Sequence, residues 1–115
     1  MNPLDLAISR DDVEIATLLL DRGADVNGKR RDGNTPLHVA VARGNVESAL
    51  LLLNRHADVN AKGHKGDTPL HIAVAENRID MLHVLLGRGA DINAKNNAGE
   101  TPLHISVFHN LGAMT

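Results

Sequence analysis

The chain holds 115 residues (12.3 kDa), 43% of them hydrophobic with Phe108 as the sole aromatic, which fits one domain with an aliphatic core. Cysteine is absent, excluding disulfide staples, thiolate zinc sites and cysteine nucleophiles. Twelve basic and 14 acidic residues give a net charge of -2, so no global attraction to nucleic acid or an anionic membrane is expected, and the longest apolar run, Ala49 to Leu53, is far short of the roughly 20 residues a spanning helix needs.

In chain order, the first helix opens at Asn2 and Pro3. Asn caps the free amides of a helix start, and proline at the first helical position gives up an amide that would be unpaired anyway. Asp5, three residues after the cap, makes a capping-box arrangement with an acid. The helix is expected to stop near Asp11, and a second helix to end at Gly23, before Gly23-Ala24-Asp25-Val26-Asn27 and a turn reaching Gly33. Thr35-Pro36 opens the next helix, in which Leu37, Ala40 and Val41 share a face; Gly44 ends it. A second helix follows from about Val46 to Asn54 and ends at His56, an uncommon residue for the positive φ required there. Thr68-Pro69, Asn77, a helix from Ile79 to Gly87, and Gly89 repeat the series; Thr101-Pro102 and Asn110 begin it again.

The repetition is literal. Thr-Pro-Leu-His stands at 35–38, 68–71 and 101–104, a spacing of 33, and residues 30–62 match 63–95 at 16 of 33 positions. This gives a single domain, 1–115, with a partial unit at 1–29, full units at 30–62 and 63–95, and a partial unit at 96–115. No unit can cover its apolar face alone, so stability must come from stacking neighbours. Ala7, Ala40 and Ala73 are small where first helices approach one another.

Thr-Pro-Leu-His, an Ala two positions later, a Leu-Leu pair some fifteen residues on, and Gly-Ala-Asp-Val-Asn together resemble the ankyrin repeat over essentially the whole chain. The resemblance implies an all-α solenoid of stacked helix-turn-helix repeats joined by β-hairpin-like loops. It further implies a non-catalytic module that binds another protein through a concave groove of hairpin tips and first helices. By register the groove would carry Arg10 from the first unit; Arg31, Asp32, Asn34 and Arg43 from the second; His64, Lys65, Asp67 and Glu76 from the third; and Asn97, Glu100, Phe108 and His109 from the fourth.

With the turn residues Lys29, Arg30, Lys62 and Lys95, that side holds eight basic residues against four acids, a surplus of +4 on a chain of net -2. A partner with an acidic segment would be steered to it, with a rate that falls as salt rises. A monomer of intracellular residence, cytoplasmic or nuclear, is expected, delivery into a host cell being compatible with the family. Two alternatives accompany this reading. The first is a piece of a longer array, opening mid-unit and closing after one helix of the fourth; the second is implied by the family resemblance, in which hairpin asparagines with Leu eight residues earlier, as at Asn27, Asn60 and Asn93, can be substrates of an asparaginyl hydroxylase.

Seven histidines invite a metal or catalytic assignment. His38, His71 and His104 recur one per unit, and stacked helices lie roughly 10 Å apart, whereas zinc needs ligands at about 2.0–2.1 Å, so they cannot share an ion. Each imidazole is expected to bond its Thr cap and a nearby backbone carbonyl. His64 and His83 read as surface residues. Asp25, Asp58 and Asp91 are copies too, and active sites are singular. Gly63-His64-Lys65-Gly66 lacks phosphate-loop spacing, and Ser9, Ser48 and Ser106 lack a nucleophile-elbow context. No cofactor, metal, nucleic acid or membrane partner is expected.

Overall fold

The computed structural model describes residues 2–105. Six α-helices run in pairs: α1 Pro3–Ser9 and α2 Val13–Asp21, α3 Pro36–Arg43 and α4 Val46–Asn54, α5 Pro69–Ala75 and α6 Ile79–Gly87. A further helical turn covers 102–105, and no β-strand occurs among the described residues. The first helices α1, α3 and α5 contact one another in sequence, as do the second helices α2, α4 and α6, and each pair packs internally. The result is a two-layer solenoid of 47 × 24 × 24 Å.

The helix ends follow from local chemistry. Asn2 Oδ1 accepts from the Asp5 amide at 2.8 Å, and Thr68 Oγ1 from the His71 amide at 3.4 Å. First helices give way to left-handed residues at Asp11, Gly44 and Asn77 (φ 55°, 72° and 53°), and the turns after second helices do so at Gly23, His56 and Gly89 (φ 95°, 73° and 88°). His56 bears the cost of a side chain in a conformation that disfavours Cβ. His56→Gly is therefore expected to raise stability by about 1 kcal/mol, less the extra freedom glycine gives the unfolded chain; an unchanged or lower melting temperature would contradict it.

Leu37, Ala40 and Val41 are fully buried in α3, as are Ala49 and Leu52 in α4 and Leu85 in α6. Ala7, Ala40 and Ala73 are also buried, where the first-helix layer is tightest. The loops between units are not ladders. Each tip is a tight turn closed by backbone pairs, Arg30 N to Asn34 O (2.9 Å), Gly63 N to Asp67 O (2.8 Å) and Asn96 N to Glu100 O (3.0 Å), and the second tip includes a 3₁₀ turn, His64–Gly66.

Neighbouring units are also tied by polar contacts. Asn27 Oδ1 accepts from the Asp58 amide (2.8 Å) while its Nδ2 donates to His56 O (3.3 Å); Asn60 repeats this with Asp91 N (2.7 Å) and Gly89 O (3.3 Å). Asp25, Asp58 and Asp91 each accept from the amide two residues on at 2.9 Å, which shapes the turn presenting the asparagine. Arg55 Nη2 pairs with Asp21 Oδ1 at 2.7 Å, and Arg88 Nη2 donates to Asn54 Oδ1 at 2.7 Å.

Candidate functional site

The threonine-histidine pairs hold the joints. The Thr35 amide donates to His38 Nδ1 at 3.1 Å, so that nitrogen is bare; Nε2 then carries the proton and donates to Asp67 O of the next unit at 2.9 Å. Thr68, His71 and Glu100 O repeat the arrangement at 3.1 and 2.8 Å. Both ring nitrogens of each histidine are thus used, Nδ1 within its own unit and Nε2 in bonding that unit to the next. Burial pushes the His38 pKa below its ordinary value, partly opposed by the Asp67 carbonyl. His64 and His83 are exposed, and among the described residues no three His or carboxylate side chains converge as a metal site would need.

The first joint departs from this pattern. Asp5 occupies the histidine position and is 1% exposed, yet neither carboxylate oxygen has a hydrogen-bond partner. The reciprocal half of the expected capping box is therefore missing: the Asp5 amide reaches the Asn2 cap, but its carboxylate makes no return bond to the Asn2 amide. Burial raises the Asp5 pKa, and the nearby Arg30 charge and the chain's amino terminus work in the other direction.

Tips and first helices share hollows on one side of the stack. Asn2 and Asp5 of α1 and its approach line a cleft of about 640 Å³ with Lys29, Arg30, Arg31 and Asp32. Lys65, Asp67, Asn97 and Glu100 line a second, of about 440 Å³, with Ile105 from the last helical turn. Arg10, Arg43 and Glu76 sit instead at the C-terminal ends of α1, α3 and α5 and line neither cleft. Phe108 and His109 lie outside the described residues.

These positions fall into two kinds. Asp32 Oδ1 accepts from the Asn34 amide at 2.9 Å, Asn34 Oδ1 from the His64 amide at 2.8 Å, and Asp67 Oδ1 and Glu100 Oε1 from Asn96 Nδ2 at 3.0 and 3.1 Å. Asn34 and Asp67 tie neighbouring tips to one another, while Asp32 and Glu100 brace the tip they belong to. Arg10, Arg31, Arg43, His64, Lys65, Glu76 and Asn97 are exposed, and their side chains make no hydrogen bond or ion pair among the described residues. Sequence reasoning missed that Lys29 is itself a tie, its Nζ donating to Lys62 O at 3.1 Å. The two lysines stand 33 residues apart, and that period was the available signal.

No helix among the described residues is long and apolar enough to cross a membrane. A family model described as "Ankyrin repeats (3 copies)" matches residues 4–96 and again 62–114. Comparison with curated proteins finds no match.

Proposed function

The chain belongs to the ankyrin repeat family, whose members are generally protein-interaction modules without catalysis, and from that premise we propose that it binds a partner protein through the side of the stack formed by the tips and first helices. The observation that carries this reading is the division of labour within each tip. Asp32, Asn34, Asp67 and Glu100 are bonded into the scaffold, while Arg31, His64, Lys65 and Asn97 beside them are exposed and uncommitted. A rigid tip that presents free polar groups meets a partner at little ordering cost. The surplus of positive charge there suits an acidic segment.

The test is affinity capture from extract with the wild type and with Arg31→Glu/Lys65→Glu. Both sites are exposed turn positions, so the melting temperature is expected to stay within the small range of surface substitutions. Retention of the partner is expected to fall by about tenfold or more, with a weaker salt dependence. Equal retention by both proteins would refute the assignment.

The second reading, a portion of a longer array, is favoured by one observation. Ile15 is 49% exposed in the first unit, whereas its counterparts Ser48 and Met81, which have a preceding unit to pack on, are 0% and 1% exposed. An added unit at that end would cover Ile15 and raise the melting temperature.

A further inference from the structure

Of the chain's eleven asparagines, Asn27 alone is followed by glycine. At the period of 33, Asn27-Gly28 corresponds to Asn60-Ala61 and Asn93-Ala94. Asn27 and Asn60 are matched in exposure and bonding. Both are exposed, and each side chain accepts from one amide of the next unit, Asp58 N (2.8 Å) or Asp91 N (2.7 Å), and donates to one carbonyl, His56 O or Gly89 O (both 3.3 Å). The amide that follows is held alike in each, Gly28 N to Asp25 O and Ala61 N to Asp58 O, both at 3.2 Å. The turn does not call for glycine, since Gly28 has no positive φ and alanine takes the same place twice. What Gly28 changes is the approach to its own nitrogen. No Cβ shields that atom, and the backbone is free to swing it toward the Asn27 side-chain carbonyl.

Such an approach requires Asn27 to leave both ties, and the joint it closes is the one least secured against opening. The later joints each contain a buried histidine bridge, His38 Nε2 to Asp67 O (2.9 Å) and His71 Nε2 to Glu100 O (2.8 Å). In the first joint Asp5 stands in the histidine's place, 1% exposed and without a partner on either carboxylate oxygen. The ion pair between Asp21 and Arg55 spans the same joint but is solvated on both sides, and such pairs are worth little. Within this chain the first unit also has a neighbour on one side only, and end units of a stack open at less cost than inner ones.

We infer that Asn27-Gly28 is a self-modification site, at which the chain converts its own joint asparagine to aspartyl and isoaspartyl residues without an enzyme. The Gly28 nitrogen gives up its proton and attacks Asn27 Cγ. The N–Cγ bond forms, the Cγ–Nδ2 bond breaks, and Nδ2 leaves with that proton as ammonia, closing a succinimide ring. Water then opens the ring. Addition at Cγ restores the ordinary peptide bond and leaves aspartate; addition at the main-chain carbonyl leaves isoaspartate, with the chain running through Cγ. One water enters, one ammonia departs, and nothing is oxidised or reduced. Neither product keeps the Nδ2 donor to His56 O. Aspartate sets a carboxylate oxygen against that carbonyl, and isoaspartate lengthens the backbone at the turn. The reaction therefore weakens, irreversibly, the joint whose opening permits it.

The test incubates the full folded chain at neutral to mildly alkaline pH and follows it by trypsin digestion and mass spectrometry. Cleavage after Arg22, Lys29, Arg55 and Lys62 yields the matched peptides 23–29 and 56–62, with one asparagine in each. Asn27 is expected to convert about tenfold or more faster than Asn60, and Gly28→Ala to bring it down to the Asn60 rate. Gly28→Ala is expected to melt no lower than the wild type, because alanine suits this turn and restricts the unfolded chain. Asn27→Asp is expected to fold, as circular dichroism reports, and to melt about 2–6 °C below the wild type. Equal rates at Asn27 and Asn60, or conversion indifferent to Gly28→Ala, overturns the inference. An Asn27→Asp variant as stable as the wild type overturns the part that has conversion weakening the joint. No partner enters any of these measurements, so their failure is distinct from failure of the tip-surface reading.

Discussion

Leu52→Ala is expected to lower the unfolding free energy by about 2–5 kcal/mol. Leu52 is completely buried, one helix removed from either end of the second-helix layer, between α2 and α6. Truncation there removes contacts on both sides at once, and a close-packed neighbourhood built of alanine and leucine relaxes little into the space. Domains of this size hold about 5–15 kcal/mol in total, so one such change takes a large share. Because stability in a stack is close to a sum of unit and nearest-neighbour terms, the loss falls on two joints. Urea unfolding followed by circular dichroism measures it. Leu18→Ala is the control: Leu18 is 56% exposed on α2, and its loss is expected to be within about 0.5 kcal/mol. Equal effects from the two variants would show that the apolar period has been assigned to the wrong face.

That assignment was readable because the signals for it are local. Thr-Pro sets a helix start, a residue that tolerates positive φ sets a stop, and α4 and α6 fall on the ranges 46–54 and 79–87 that spacing alone indicates. His56 shows the strength of the period: its φ of +73° follows from alignment with Gly23 and Gly89, although histidine gives little local cause to expect it. Contacts between units were less legible. That Asn27 binds backbone of the next unit, or that Asn34 holds the His64 amide, depends on partners about thirty residues away, and only the repeat period hints at them. The candidate surface was hardest to read for the same reason. Asn34, Asp67 and Glu100 are polar, near the tips and variable between units, as a recognition residue would be, yet each is bonded within the scaffold; Arg31 and Lys65 look no different in sequence and are free. Asp5 presents the opposite case. Its place after an Asn cap suggests a satisfied capping acid, and burial without a partner is a property of the joint that no local pattern encodes.

His38→Ala and His104→Ala are expected to differ sharply although the two histidines occupy the same motif. Each accepts from its threonine amide at 3.1 Å, but His38 is 1% exposed and also bridges to Asp67 O, whereas His104 is exposed. Removing His38 leaves the Thr35 amide unpaired at a buried joint, at about 1–3 kcal/mol, and takes one of two bonds from the Asp67 carbonyl, which still accepts from Gly63 N, while removing His104 strips only a solvated turn and is expected to cost less than about 1 kcal/mol. The same geometry fixes a pH dependence. His38 Nδ1 must stay bare to accept the amide, and burial lowers its pKa in the fold, so the unfolded chain takes up the proton first. The stability His38 contributes is therefore complete above the unfolded value of about 6.5 and is lost as pH falls from there through the folded value. Asp5 acts with the opposite sign: its raised pKa means folding favours the neutral carboxyl, so its term is most favourable below the unfolded carboxylate value of about 3.9 and is lost as pH rises through the folded value. As pH falls from about 7.5 to 5.5, through the unfolded histidine value, the His38 term is expected to lower the melting temperature of the wild type. His38→Ala, already destabilised, is expected to show a flatter profile there. A slope that survives unchanged in His38→Ala would place the responsible proton elsewhere and remove the argument that a neutral imidazole locks this joint.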